Sequence, residues 1–361
     1  MGACTSKITG RPAGKYNEMP AQSEKSTKST DRLPVKILLL GASGSGKTTI
    51  FKQMRLVHHM PFSRQEIESY RQLIYLNVTD GLQSGISRMN TTGFFVSEEN
   101  RELLRVVENC DRDLKDDQPF PSEYHHFIEW LWRDPNVQAV YRNGNEAGIP
   151  ENLSYYSQNL DRLFDPHFQP NNQDILHAHV LSTGITETTF PLQTRHDLVL
   201  VDVGGSKSER RKWRYCAEGA SAVLFVVNLA GYNQFMREDE DTNQMEDALA
   251  LWEKTCRDPS LANTVLILLL NKCDLFEEKI AYADIKNFFP DYKGPSGDPE
   301  AGRKYFRNKF RDISREIFAA QKRNFHCHYT TATNTMNIRL VMASVQGTTI
   351  FPSTTVTCFR S

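Results

Sequence analysis

Three things are scarce in this 361-residue sequence: long apolar runs, an excess of either charge, and cysteine. The longest apolar stretches, around Ala222 to Val227 and Val265 to Leu270, fall far short of the ~18 to 20 residues that cross a bilayer, so no span is expected. Lys and Arg number 43 against 44 Asp and Glu, a net charge of −1. That balance gives no reason to expect a polyanionic partner, and nucleic acid is disfavoured. The seven cysteines are an odd number with no CxxC pair, which fits a reducing, intracellular compartment better than a disulfide framework or a zinc site. What the chain does have is apolar bulk: 39% hydrophobic residues over this length support about two domains.

The ends differ in character from the middle. Met1-Gly2-Ala3-Cys4-Thr5-Ser6 fits the pattern for acylation of Gly2 after loss of Met1, and Cys4 offers a thiol for a second chain. Two lipids anchor where a single myristoyl group binds only marginally. Residues 1–34 carry six Lys or Arg and three Asp or Glu, a local charge of 6 − 3 = +3, and are too polar and too interrupted to pack a core. They read as a tail or short helix. Val35 to Leu40 then reads as a buried strand, and later apolar runs end at Asp202, Asn228 and Asn271. Continuous apolar strands separated by helical segments indicate an α/β domain with a mostly parallel sheet covered on both faces.

Between the first strand-helix unit (35–59) and the next strand lies an insertion over 60–178. Ile67, Tyr70, Ile74, Val78, Leu82 and Ile86 recur every three or four residues behind a Ser63/Glu66 capping box, predicting a long amphipathic helix. Further helices are predicted over 98–110, 123–132 and 153–164. The insertion therefore reads as an all-helical domain set into the α/β domain, which resumes over 179–346.

Gly41-Ala42-Ser43-Gly44-Ser45-Gly46-Lys47-Thr48 matches G-x-x-x-x-G-K-[ST], after a strand and before a helix. The glycines let backbone N–H groups turn toward phosphate oxygens, the helix N-terminus adds its dipole, Lys47 reaches the β and γ phosphates, and the Thr48 hydroxyl ligates Mg²⁺. Thr49 follows in the same turn. This loop alone leaves ATP and GTP open. Asn271-Lys272-Cys273-Asp274, at the end of a later strand, favours guanine, because its carboxylate can accept from N1–H and the 2-amino group, a donor pair adenine lacks.

With Asp202-Val203-Gly204-Gly205 between these two motifs, the chain resembles the α subunits of heterotrimeric G proteins, from the acylation signal to about Gln346. Further matches are Asp174-Ile175-Leu176 to Ser182-Thr183-Gly184, Ser208-Glu209-Arg210-Arg211-Lys212-Trp213, Glu238 to Asn243, and Thr330-Thr331-Ala332-Thr333. The resemblance implies a Ras-like P-loop GTPase domain with the helical domain as its lid. It also implies Thr183 as the second Mg²⁺ ligand in switch I, and the Gly205 N–H as the γ-phosphate sensor that orders switch II. Lys272 and Ala332 would line the base, with Leu176 and His177 over the nucleotide. The implied cofactors are GTP or GDP and Mg²⁺, and the implied partners are a βγ dimer, a G protein-coupled receptor and a downstream effector at the cytoplasmic face of the plasma membrane.

Four residues beside the γ-phosphate depart from the family. His179 stands where an arginine is usual, Ser206 where a glutamine orients the attacking water, and Ser43 and Gly44 replace a Gly-Glu pair. A fixed arginine is worth ~10³ to 10⁵ in rate, whereas a histidine of ordinary pKa ~6.5 is mostly neutral at pH 7 and lacks the planar fork of donors. The expectation is a protein that binds GTP and hydrolyses it slowly. The alternatives are a non-hydrolysing, GTP-locked interaction protein and an ATP-dependent P-loop enzyme. At the other end, Gly347 and Pro352 interrupt the final helical pattern. Residues 347–361 therefore read as an atypical tail, possessing the character of read-through sequence, and argue against the family's helix-mediated receptor coupling.

Overall fold

The computed structural model describes residues 32–350 except 93–95, 99–100, 109–112, 143–149, 181, 193 and 237–238. Gly2, Cys4 and the tail beyond residue 350 lie outside the described residues. Among the described residues the first elements are β1 (Leu33–Leu40) and α1 (Lys47–Val57), followed by α2 (Arg64–Thr92), α3 (Arg101–Glu108), α4 (Ser122–Arg133), α5 (Pro135–Arg142), α6 (Leu153–Ser157), α7 (Leu160–Leu163) and α8 (Asn172–His177). The chain returns through β2 (Ile185–Pro191), β3 (His196–Val203), α9 (Trp213–Ala217), β4 (Ala222–Asn228), β5 (Phe235–Met236), β6 (Asp239–Asn243) and α10 (Gln244–Arg257). The last described elements are β7 (Val265–Asn271), α11 (Cys273–Ile280), α12 (Pro299–Ala320), β8 (His326–Tyr329) and α13 (Thr335–Ile350).

Six strands form one sheet in the order β2-β3-β1-β4-β7-β8. Only β2 pairs antiparallel, against β3; the other neighbours are parallel. Parallel strands need helical crossovers, so both faces of the sheet are covered and its central strands β4 and β7 are near-continuous apolar, buried runs. The period of two is visible in β1: Leu38 and Leu40 face a core with Met245, Trp252, Phe276, Phe306 and Phe310 from α10, α11 and α12. Ile37 and Leu39 face the opposite core, with Ile50 and Met54 of α1 and Ile338, Val341 and Val345 of α13. Each parallel strand runs toward the same edge, so Gly41, Asp202, Asn228, Asn271 and Thr330 gather at its carboxyl end.

The helical insertion has a core of its own, drawn entirely from Phe62 to Ala178. Its long helix α2 starts at the predicted capping box: the Ser63 N–H donates to Glu66 Oε2 (2.7 Å) and the Glu66 N–H donates to Ser63 Oγ (3.2 Å). Tyr70, Ile74, Val78, Leu82 and Ile86 are buried along one stripe. Two expectations change. The helix expected over 153–164 is two short ones, broken where Asn159 Nδ2 donates to the Tyr155 carbonyl (2.8 Å) and competes with the helical ladder. The last helix does not stop at Gly347 but continues to Ile350, since a lone glycine costs a helix only ~1 kcal/mol.

Candidate functional site

The turn between β1 and α1 closes against the end of β7. Gly46 has φ 101°, and a Cβ there would lie 2.2 Å from Asn271 Nδ2, so the loop can approach Asn271 only as glycine. Asn271 is a strut: its Nδ2 donates to the Ser45 carbonyl (2.8 Å), and its Oδ1 accepts from Thr330 Oγ1 and the Ala332 N–H (both 3.0 Å). Gln53 Nε2 donates to the Ala332 carbonyl (2.8 Å). Three loops far apart in sequence are thereby fixed around one opening.

That opening is a cleft of about 330 Å³, large enough for a small-molecule ligand. Ser43, Gly44, Gly46, Lys47, Thr48 and Thr49 form one wall; Asn271, Lys272, Asp274 and Ala332 form the next; Leu176, His177 and His179 come from the insertion side, and Gly205 closes the far end. Gly41, Ser45 and Asp202 stand behind the lining. Thr48 Oγ1 donates to Asp202 Oδ2 (2.7 Å) and lies 2.6 Å from Ser182 Oγ.

Two expected residues are elsewhere. Ser182, not Thr183, lines the cleft opposite Thr48, while Thr183 is exposed. Ser206 does not line the cleft, and its Oγ lies 3.1 Å from Ser208 Oγ.

Two buried charged groups, Lys47 and Asp202, stand at the cleft. Lys47 Nζ donates to the carbonyls of Gly41 (2.9 Å) and Ala42 (2.8 Å), and burial pushes its ammonium down to about 8 against the pull of Asp202. Burial likewise raises Asp202, opposed by Lys47 and the Thr48 hydroxyl. Asp202 Oδ1 and Ser45 Oγ are buried with no hydrogen-bond partner. Such atoms are rare and mark where a cation, water or ligand completes the site.

Sequence reasoning missed most of the insertion's contribution. Asn77 on α2 grips the backbone of residue 179, accepting from its N–H (2.7 Å) and donating to its carbonyl (3.2 Å). Asn152 Nδ2 donates to Asn77 Oδ1 and to the His177 carbonyl, each at 2.8 Å. Lys52 Nζ donates to the carbonyls of Ile175 and Ala178, also at 2.8 Å. The His177 ring stacks on Tyr155 with centroids 3.8 Å apart and planes 3° from parallel. Glu151 pairs with Lys272; burial alone would raise its carboxyl, but Lys272 and Lys279 hold it down at about 2. Lys272 sits at φ 63°, a left-handed conformation unusual for a side-chain-bearing residue. None of these contacts follows a local spacing rule, so no motif could have pointed to them.

Residues 14–349 match the family model described as G-protein alpha subunit. Among individual proteins, the chain is 42% identical to a guanine nucleotide-binding protein alpha-2 subunit of Mycosarcoma maydis, with 96% of each chain covered. It is 39% identical to an alpha-2 subunit of Neurospora crassa, over 86% of this chain and 87% of that one. It is 38% identical to an alpha-1 subunit of Schizosaccharomyces pombe, over 87% and 79%. The chain belongs to the G-protein α-subunit family, and with it to the guanine nucleotide-binding GTPases of heterotrimeric G-protein signalling.

Proposed function

We propose that this α subunit holds GTP firmly in the cleft with Mg²⁺ and hydrolyses it slowly, so that unaided it rests toward the GTP state. One contrast carries this reading: the binding groups around the phosphate end are present, while the two positions that accelerate hydrolysis in the family hold His179 and Ser206. Lys47 and the loop N–H groups would take the phosphates, and Asp274 the guanine edge. Thr48 and Ser182 would hold Mg²⁺ beside Asp202, whose buried, unpartnered Oδ1 suits a cation with its water. Mg²⁺, when bound, neutralises charge on the phosphate oxygens. In this proposal Ser182 takes the role expected of Thr183.

His179 supplies no guanidinium fork for the charge that develops on the transferred phosphoryl group. Its backbone is nevertheless held at both N–H and carbonyl by Asn77, so an arginine there would start from a fixed point. The test is single-turnover GTP hydrolysis by the wild type, His179→Arg and His179→Arg/Ser206→Gln. We expect the double variant to gain about 10²-fold or more. A wild type that already hydrolyses as fast as the double variant would overturn the reading. The GTP-locked interaction protein is the limiting case, separated by whether the purified wild type converts any GTP to GDP over hours. An ATP-dependent enzyme is disfavoured by Asp274 on the cleft wall, and ATP failing to displace GTP is the matching observation.

The remaining parts of the proposal concern location and partners. Among the described residues no helix is long and apolar enough to cross a membrane, and acyl chains on Gly2 and Cys4 would hold the protein at the inner leaflet. The βγ dimer would read the segment around Lys212 and Trp213, and an effector the same segment in the GTP state. Receptor coupling would depend on the residues that follow Ile350.

A further inference from the structure

We propose that Glu209 is a positioning residue that fastens the backbone after Ser182 to the backbone after Val203, so that the two loops flanking the γ-phosphate site move as one body. The inference rests on the nucleotide-switch reading above and adds to it the part that couples the two loops.

The observations converge on Gly184. Its N–H donates to Glu209 Oε2 at 2.6 Å, and its carbonyl accepts from the Gly204 N–H at 3.2 Å. Both backbone groups of this one residue are therefore given to the 204–209 segment. Gly184 follows Ser182 by two positions and directly precedes the first rung of β2, where Ile185 pairs with Val203. On its other side, Glu209 is held by Lys212 Nζ (2.6 Å) and by its own N–H, which donates to the Ser206 carbonyl (2.9 Å).

A second feature points the same way. A Cβ on Gly204 would lie 2.7 Å from Glu209 Cγ and 2.8 Å from its Cβ. Real Cβ atoms do not approach so closely, so the stem of Glu209 lies flat across Gly204 and requires a glycine there. The segment is anchored deeper by Arg210, whose Nε donates to the Gly205 carbonyl (3.0 Å) while its other nitrogens grip Asp247 on α10 (2.8 and 2.6 Å). Trp213 Nε1 donates to the Gly204 carbonyl (3.0 Å), which puts an indole reporter on the same strand of backbone.

Glu209 is not offered as a catalytic base. It does not line the cleft, and Oε2 already accepts from Gly184 and Lys212. Those hydrogen bonds also hold its carboxyl below the usual range, Lys212 first and the Gly184 N–H second, which keeps it an acceptor. It acts through Gly184. A ligand that displaces Ser182 must move Gly184, and Gly184 cannot move without either carrying the 204–209 segment or losing a charge-assisted hydrogen bond.

The test uses the full chain as wild type, Glu209→Ala, Glu209→Gln and Gly204→Ala, with three readouts. The first is hydrogen exchange at the Gly184 amide, which needs no nucleotide. The second is the fluorescence step on adding a non-hydrolysable GTP analogue with Mg²⁺, assigned with Trp213→Phe. The third is the ratio of analogue to GDP affinity by calorimetry. Losing one charged hydrogen bond predicts that Glu209→Ala speeds Gly184 exchange about 10-fold or more and lowers the affinity ratio by a similar factor. GDP affinity stays within about 3-fold, because the bond lies outside the GDP contacts. The Trp213 step shrinks in Glu209→Ala. Gly204→Ala does the same by displacing the side chain. Glu209→Gln, whose amide oxygen still accepts from Gly184, recovers most of the loss. Unchanged Gly184 exchange together with a full Trp213 step in Glu209→Ala would overturn the proposal. If the wild type bound neither nucleotide, the function proposed above would fall, and Gly184 exchange would still decide the role of Glu209.

Discussion

The two ends of the cleft are built differently. At the end where we place the base, Asn271, Thr330, Ala332 and Gln53 form a set of hydrogen bonds that ties the β1–α1 loop to two distant loops, and Asn271, Lys272, Asp274 and Ala332 line the cleft. At the end where we place the γ-phosphate the side chains are short or lack a guanidinium: Ser182 near Thr48, Ser206 turned to Ser208, and a histidine at 179 whose backbone is held by Asn77. A residue that also braces the fold cannot be exchanged without leaving buried polar groups unpaired. A residue whose task is to meet a transition state can be exchanged with no loss of folding. On the proposed reading, binding and acceleration are separable in this fold, because only the residues assigned to binding are wired into its skeleton.

The sharpest way to break the comparison is at Asp274. It lines the cleft without bracing the loops, so Asp274→Ala removes two charge-assisted acceptors for guanine and little else. Each such bond contributes about 1.5 to 3 kcal/mol, so GDP affinity is expected to fall by about 10² to 10⁴-fold and the preference over ADP to vanish, as read by calorimetry. If the preference for guanine persists, the base end does not read the purine through this carboxylate.

A smaller effect is expected from pH. Burial holds Lys47 at about 8 in the free protein, and a bound phosphate must raise that value because it favours the cation. The sign follows: below pH 8 Lys47 is charged both free and bound, and affinity is flat. Above pH 8 binding must first take up a proton, so GDP affinity declines by up to about 10-fold per pH unit. Calorimetry at pH 7, 8 and 9 reads this directly. Affinity that rises through that range would place the phosphates away from Lys47.

Much of this was legible in sequence because the signals are local. Apolar runs ending in Asp202, Asn228 and Asn271 mark parallel strands, Ser63 with Glu66 marks the start of α2, and the glycines before Lys47 mark the loop. The helical pattern missed the break at Asn159, where a side chain outbids the ladder, and misjudged Gly347, which a helix can absorb. Ser182 and Thr183 are indistinguishable as hydroxyls. Which one faces Thr48 is set by the path of the loop, and Gly184 in that loop is bonded to Glu209 across 25 residues of chain. Glu151 meets Lys272 from 121 residues away, a separation at which no spacing rule operates.

The smallest expected effect tests the γ-phosphate end itself. If Ser206 has truly left the catalytic role, Ser206→Ala should change single-turnover hydrolysis by less than about 3-fold, since a surface hydroxyl bonded to a neighbour is worth under ~1 kcal/mol. Its Oγ is committed to Ser208 and lies outside the cleft, so its loss opens no cavity and orphans no buried group. A 10-fold decline would mean that the serine reaches the attacking water once nucleotide is bound. The segment would then have rearranged on binding, Glu209 would have released Gly184, and the two ends of the cleft would differ in timing more than in equipment.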